Sequence, residues 1–116
     1  AMYLPKVIKF NAKNKAAETR YAEIARFIGL TGNSDAALTN ALIAEINKMN
    51  RSLDIPSCIK DYEGGIIDEK EFNDKLSKVA TLALSDACTG SNPRIPTQEE
   101  MEKLLTAVYY DKEIDF

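Results

Sequence analysis

The side chains best suited to chemistry lie in one irregular polar stretch, Asp86-Ala87-Cys88-Thr89-Gly90-Ser91-Asn92-Pro93-Arg94, set between two helical runs. It gathers a thiol, a hydroxyl, an amide and a guanidinium at a helix terminus. Such a set suits either a bridging hydrogen-bond network or the edge of a ligand pocket. Gly90 permits positive φ, Pro93 fixes its own φ and pushes Asn92 out of the α region, and Ser91 and Asn92 can bond their own backbone. The preceding helix is therefore expected to end near Ala87 or Cys88. Histidine is absent, which removes the usual general base, the commonest transition-metal ligand and any Ser-His-Asp set. Cys58 and Cys88 lack CxxC spacing, and each reads as a free, largely buried thiol. No glycine-rich phosphate loop follows a strand, no carboxylate cluster has ligand spacing, and most carboxylates read as helix caps or dipole partners.

Helices must position that stretch. Ala1-Met2-Tyr3-Leu4-Pro5 opens on apolar residues that continue through Val7, Ile8 and Phe10 to a polar break at Asn11 to Lys15, and it reads as the tail of a helix entering from upstream. Ala17, Tyr21, Ile24, Ala25 and Ile28 recur at helical spacing, which predicts an amphipathic helix over 16–28. Gly29 supplies a left-handed C′ position, and Leu30 folds back as the contact of a Schellman ending. Ser34 caps a third helix with the stripe Leu38, Leu42, Ile46, Met49 and Leu53, closed by Pro56. Cys58 to Tyr62 fits one short helical turn before Gly64-Gly65. Asp68 and Glu71 form a capping-box-like start, stapled by Ile67 and Phe72, to a helix that turns Phe72, Leu76, Val79, Ala80 and Ala83 inward. Thr97 and Glu100 repeat the box before Met101, Leu104, Leu105 and Val108, followed by Tyr109-Tyr110 and an acidic tail. No stretch alternates with period two, so the expected fold class is all-α and bundle-like.

At 116 residues, 45% hydrophobic and 28% charged, the chain is one domain's worth with a core of its own. The net charge of −3 is uneven: Lys6 to Arg26 carries six basic and two acidic residues, and Asp54 to the end carries seven basic and fourteen acidic. The basic charges are spread among apolar residues without stacking aromatics, so a solvated helix face is favoured over a nucleic-acid surface. No apolar run approaches the roughly 20 residues that span a bilayer, and no leader or lipidation motif is visible, which makes a cytoplasmic location the expectation.

Four motifs carry a family resemblance. Tyr3-Leu4-Pro5-Lys6-Val7-Ile8-Lys9-Phe10-Asn11, Arg20-Tyr21-Ala22-Glu23-Ile24-Ala25-Arg26, Leu53-Asp54-Ile55-Pro56 and Asp86 to Arg94 match, in order and approximate spacing, the C-terminal part of iron-containing (group III) alcohol dehydrogenases. The sequence resembles the clostridial-type alcohol, butanol and 1,3-propanediol dehydrogenases over Tyr3 to Tyr110. The resemblance implies a fragment of a longer enzyme that has an N-terminal α/β dinucleotide-binding domain and a C-terminal helical domain. In that family a divalent metal, iron or zinc, is held by one aspartate and three histidines, all upstream of the position matching Met2. This chain is then expected to hold neither the metal nor the NAD(H) or NADP(H) cofactor, to need the N-terminal domain as partner, and to be inactive alone. The parent reaction implied is hydride transfer between a small alcohol or aldehyde and the nicotinamide.

The resemblance places Cys88, with the Thr89-Gly90 turn, on the wall of the substrate pocket and not as a nucleophile; it implies no catalytic, cofactor-binding or metal-ligating residue in this chain. Asn92, Pro93 and Arg94 read as loop scaffolding that ties helix ends together, and Arg20 and Tyr21 as braces between helices. A stand-alone helical interaction module is the alternative. Apolar surface left uncovered in a fragment leads to the expectation of a homo-oligomer, with Met2 to Phe10 as a contact.

Overall fold

Among the described residues the computed structural model has five helices: α1 Tyr3–Asn11, α2 Lys15–Phe27, α3 Asp35–Ser52, α4 Glu69–Ser85 and α5 Gln98–Tyr110. Short 3-10 turns lie at Ile59–Asp61 and Thr89–Ser91, and no strand is present among the described residues, which are 1–62 and 67–116. The break predicted at Gly64-Gly65 lies outside the described residues. The fold class is all-α, as expected.

Local chemistry accounts for most helix boundaries. Asn14 caps α2 by accepting from the Ala16 and Ala17 amides, Ser34 caps α3 at 3.1 Å from Ala37 N, and Asp68 caps α4 at 2.7 Å from Glu71 N. Glu71 does not return the bond to Asp68; it pairs with Lys75 one turn on, so the capping box expected there is half formed. At α5 the box is complete: Thr97 Oγ1 accepts from Glu100 N at 3.2 Å and Glu100 Oε2 accepts from Thr97 N at 2.9 Å. Gly29, at φ 85°, ends α2 in a Schellman motif in which Leu30 N reaches Ala25 O at 2.9 Å. The same ending closes α3 on a residue other than glycine. Asp54 takes φ 55°, and Ile55 N bonds Asn50 O at 2.9 Å. The helix thus stops before Pro56 can act.

Alpha1 is the shared wall of two apolar clusters. Its Ile8 packs with Ala22 and Ala25 of α2 and with Leu38 and Leu42 of α3. Its Phe10 packs with Leu104 and Ala107 of α5 and with Ile114, with Val7 and Phe116 against them. Large apolar residues expected inside are in part outside: Ile24, Ile28, Met49, Leu53 and Val79 are exposed. Alpha2 instead buries its alanines, Ala22 and Ala25, which let it approach α3 closely, and α4 buries Ala80. Thr39 is buried on α3 and donates to Glu18 O of α2. Arg20 pairs with Glu23 on its own helix and reaches no other helix among the described residues, whereas Tyr21 does bridge to α1.

Candidate functional site

The polar break emerges where α4 stops. The last α4 residue is Ser85, two to three residues earlier than expected, because Asp86 takes extended geometry and turns its side chain onto the Cys88 amide at 2.8 Å. Cys88 to Asn92 then folds as a 3-10 turn held by Ser91 N to Cys88 O and Asn92 N to Thr89 O. Thr89 ties the turn back to α4, its Oγ1 donating to Ala83 O at 2.6 Å. Asn92 is extended, at φ −66° and ψ 139°, as a residue before proline should be. Gly90 is not left-handed; within the 3-10 turn it has an ordinary helical-side backbone and needs no positive φ.

Cys88 and Thr89 border an apolar cleft of about 320 Å³. Its facing wall is α1, with Tyr3, Val7 and Phe10; its floor is α5, with Met101, Leu104, Leu105 and Val108; Ala83, Asn92 and Pro96 complete the rim. Desolvation by partial burial pushes the Tyr3 phenol above its ordinary value. Gly90 stands apart from these residues, open to solvent, with nothing within 4 Å of where a Cβ would sit. Cys88 is exposed, which corrects the expectation of a buried thiol. Cys58 is buried, donates to Asp61 Oδ2 at 3.3 Å, and is held above the ordinary thiol value by desolvation and then by that carboxylate.

Side chains from the far end of the sequence fix the rim. Arg94 donates from Nη1 to Phe10 O at 3.0 Å and Phe116 O at 2.9 Å, and from Nη2 to Glu100 Oε1 at 2.5 Å, while its guanidinium lies 3.8 Å from the Phe10 ring centroid. Asn14 Nδ2 donates to Pro93 O at 2.9 Å. Asn11 and Asn92 exchange amide hydrogen bonds, and Asn11 also donates to the Tyr21 hydroxyl. Arg94 and Asn92 thus act as the expected ties between helix ends. Asn11, Asn14, Glu100 and Phe116 are the partners that sequence reasoning missed; only the spatial meeting of distant segments reveals them.

The described residues contain no group of three or more His, Cys, Asp or Glu side chains placed to hold a metal ion, and the sequence has no histidine at all. These residues do not fit a metal, and the site they build is a wall with shape and polarity. No helix among the described residues is long and apolar enough to cross a membrane.

Known proteins bear on this geometry. Residues 1–109 match the Fe-containing alcohol dehydrogenase family, C-terminal. The NADPH-dependent butanol dehydrogenase of Clostridium saccharobutylicum is 44% identical over 116 residues, covering 100% of this chain and 29% of that protein. An aldehyde-alcohol dehydrogenase of Clostridium acetobutylicum is 36% identical over 90% of this chain and 13% of its own length. An alcohol dehydrogenase of Thermococcus barophilus is 32% identical over 96% of this chain and 26% of its own. The chain therefore spans less than a third of the length of these relatives. With the family match running through all five helices and the Cys88 loop, the chain belongs to the Fe-containing alcohol dehydrogenase family and corresponds to its C-terminal part.

Proposed function

We propose that this chain is the helical C-terminal part of a metal-dependent, NAD(P)-linked alcohol dehydrogenase, which moves hydride reversibly between a small alcohol or aldehyde and the nicotinamide. The observation that carries the reading is the family match over residues 1–109. On this reading the nucleotide-binding domain and the metal ligands both lie upstream of the position matching Met2, and the isolated chain is inactive. Its own residues supply one side of the substrate pocket. Cys88 and Thr89 present a thiol and a methyl-bearing side chain beside the apolar cleft, which favours a short hydrocarbon substituent and keeps water off it. Tyr3 and Leu4, about half exposed on α1, belong to the surface that the rest of the protein would cover.

A chimera tests the reading. The 116-residue chain replaces the matching segment of the Clostridium saccharobutylicum relative, and NADP⁺ reduction with 1-butanol is followed in the chimera and in the chain alone. The reading requires turnover by the chimera and none by the chain. Turnover by the chain alone, or a folded and metal-loaded chimera without turnover, contradicts it.

A further inference from the structure

A buried amide pair joins the two sides of the cleft. Asn11, at the end of α1 and 2% exposed, donates from Nδ2 to Asn92 Oδ1 at 3.1 Å and accepts at Oδ1 from Asn92 Nδ2 at 2.7 Å. The second Asn11 donor contact goes to the Tyr21 hydroxyl at 3.2 Å, and Asn92 Nδ2 also reaches Arg94 O at 2.6 Å. Every polar atom of the Asn11 side chain thus has a partner, and the low-dielectric surroundings penalise any shift that would leave one unpaired. Asn92 lines the cleft itself and belongs to the turn that carries Cys88 and Thr89, its amide bonded to Thr89 O at 3.1 Å. The opposite end of that turn is anchored to α4 through Thr89 and Asp86, so its distance from α1 is set at Asn92. The ties from Asn14 and Arg94 attach beyond Asn92, at and after Pro93.

We propose that Asn11 is a positioning residue: through Asn92 it fixes the Cys88–Thr89 wall against α1 and so sets the width of the apolar cleft. The consequence for substrate size rests on the reading of that cleft as a substrate wall. The positioning itself does not.

Alkylation of the 116-residue chain, read per cysteine by peptide mass spectrometry, tests it with a small reagent, iodoacetamide, and a bulky one, N-phenylmaleimide. Buried Cys58 in the same sample reports any general opening of the fold. Asn11→Ala and Asn92→Ala should each change the bulky-to-small rate ratio at Cys88 by about threefold or more with Cys58 still protected, and the double variant should change it no further than the larger single, as expected for contacting residues acting through one link. Tyr21→Phe leaves the amide pair in place and should leave the ratio unchanged. An unaltered ratio in both single variants, or effects that multiply in the double, overturns the proposal. If Asn11→Ala exposes Cys58, the half-buried Asn92→Ala carries the test: a changed ratio supports the proposal and an unaltered one overturns it. These rates need no turnover, so an inactive chimera would count against the proposed function and leave the positioning role standing.

Discussion

The α2–α3 pair and the α5–loop region both grip α1, but by different means. On one side Ile8 sinks into a cluster of Ala22, Ala25, Leu38 and Leu42. The polar support there combines the Asn14 and Ser34 caps and the Arg26–Asp35 pair, close in sequence, with single hydrogen bonds of intermediate range from Thr39 to Glu18 O and from Lys9 to Asn40. On the other side, Phe10 packs against α5 and Ile114, and side chains reach across the whole sequence: Arg94 to Phe10 O and Phe116 O, Asn11 to Asn92, and Lys6 to Lys112 O and Asp111. Apolar packing tolerates small slips, whereas charge-assisted and reciprocal hydrogen bonds fix distance and angle. The region held by directional bonds is the one that carries the Cys88 wall.

The comparison breaks most visibly through the core. Leu38→Ala should cost about 3 kcal/mol and lower the melting temperature by roughly 10 °C in thermal unfolding. In the folded state it should leave the Cys88 alkylation rate unchanged, because Leu38 contacts the other cluster. Arg94→Lys should be milder for stability, about 2 kcal/mol, since an ammonium cannot bridge two carbonyls and Glu100 in the same fork geometry. Yet it should alter Cys88 alkylation where Leu38→Ala does not. Equal Cys88 responses from both variants would erase the distinction between the two regions.

The smallest effect is a pH dependence. The Thr97 backbone amide first, then the Arg94 charge and hydrogen bond, hold the Glu100 carboxyl below its ordinary value of 4.5, against desolvation. A depressed carboxyl stabilises the fold above the ordinary value, and that contribution is lost as pH falls through the lower folded-state value. The melting temperature of the unsubstituted chain should therefore exceed that of Glu100→Gln near neutrality and converge with it in acid below the ordinary carboxylate range. A gap that persists unchanged in acid would place the effect in shape and not in charge.

Features decided within a turn of helix were legible in the sequence. The Ser34, Asp68 and Thr97 caps and the Gly29 ending follow from side-chain oxygens and an absent Cβ at fixed offsets. Asp54 and Asp111 adopt the same left-handed conformation without glycine, so their helix ends gave no such signal. Spacing of large apolar residues misplaced Ile24, Ile28 and Val79, because α2 and α4 bury alanines where neighbouring backbones come close. The break at Cys88 could be read as a loop with chemical potential. Its attachment to Asn11, 81 residues away, could not, since no local periodicity encodes which distant amide will pair. The same applies to the exposure of Cys88, which depends on how far the turn stands from α1.

The most direct measurement is substrate protection of Cys88 in the butanol dehydrogenase chimera carrying NADP⁺. If this chain forms one wall of the alcohol pocket, saturating 1-butanol should slow Cys88 alkylation several-fold, in proportion to site occupancy, while leaving Cys58 untouched. A catalytically active chimera whose Cys88 reacts at the same rate with and without 1-butanol would contradict the account.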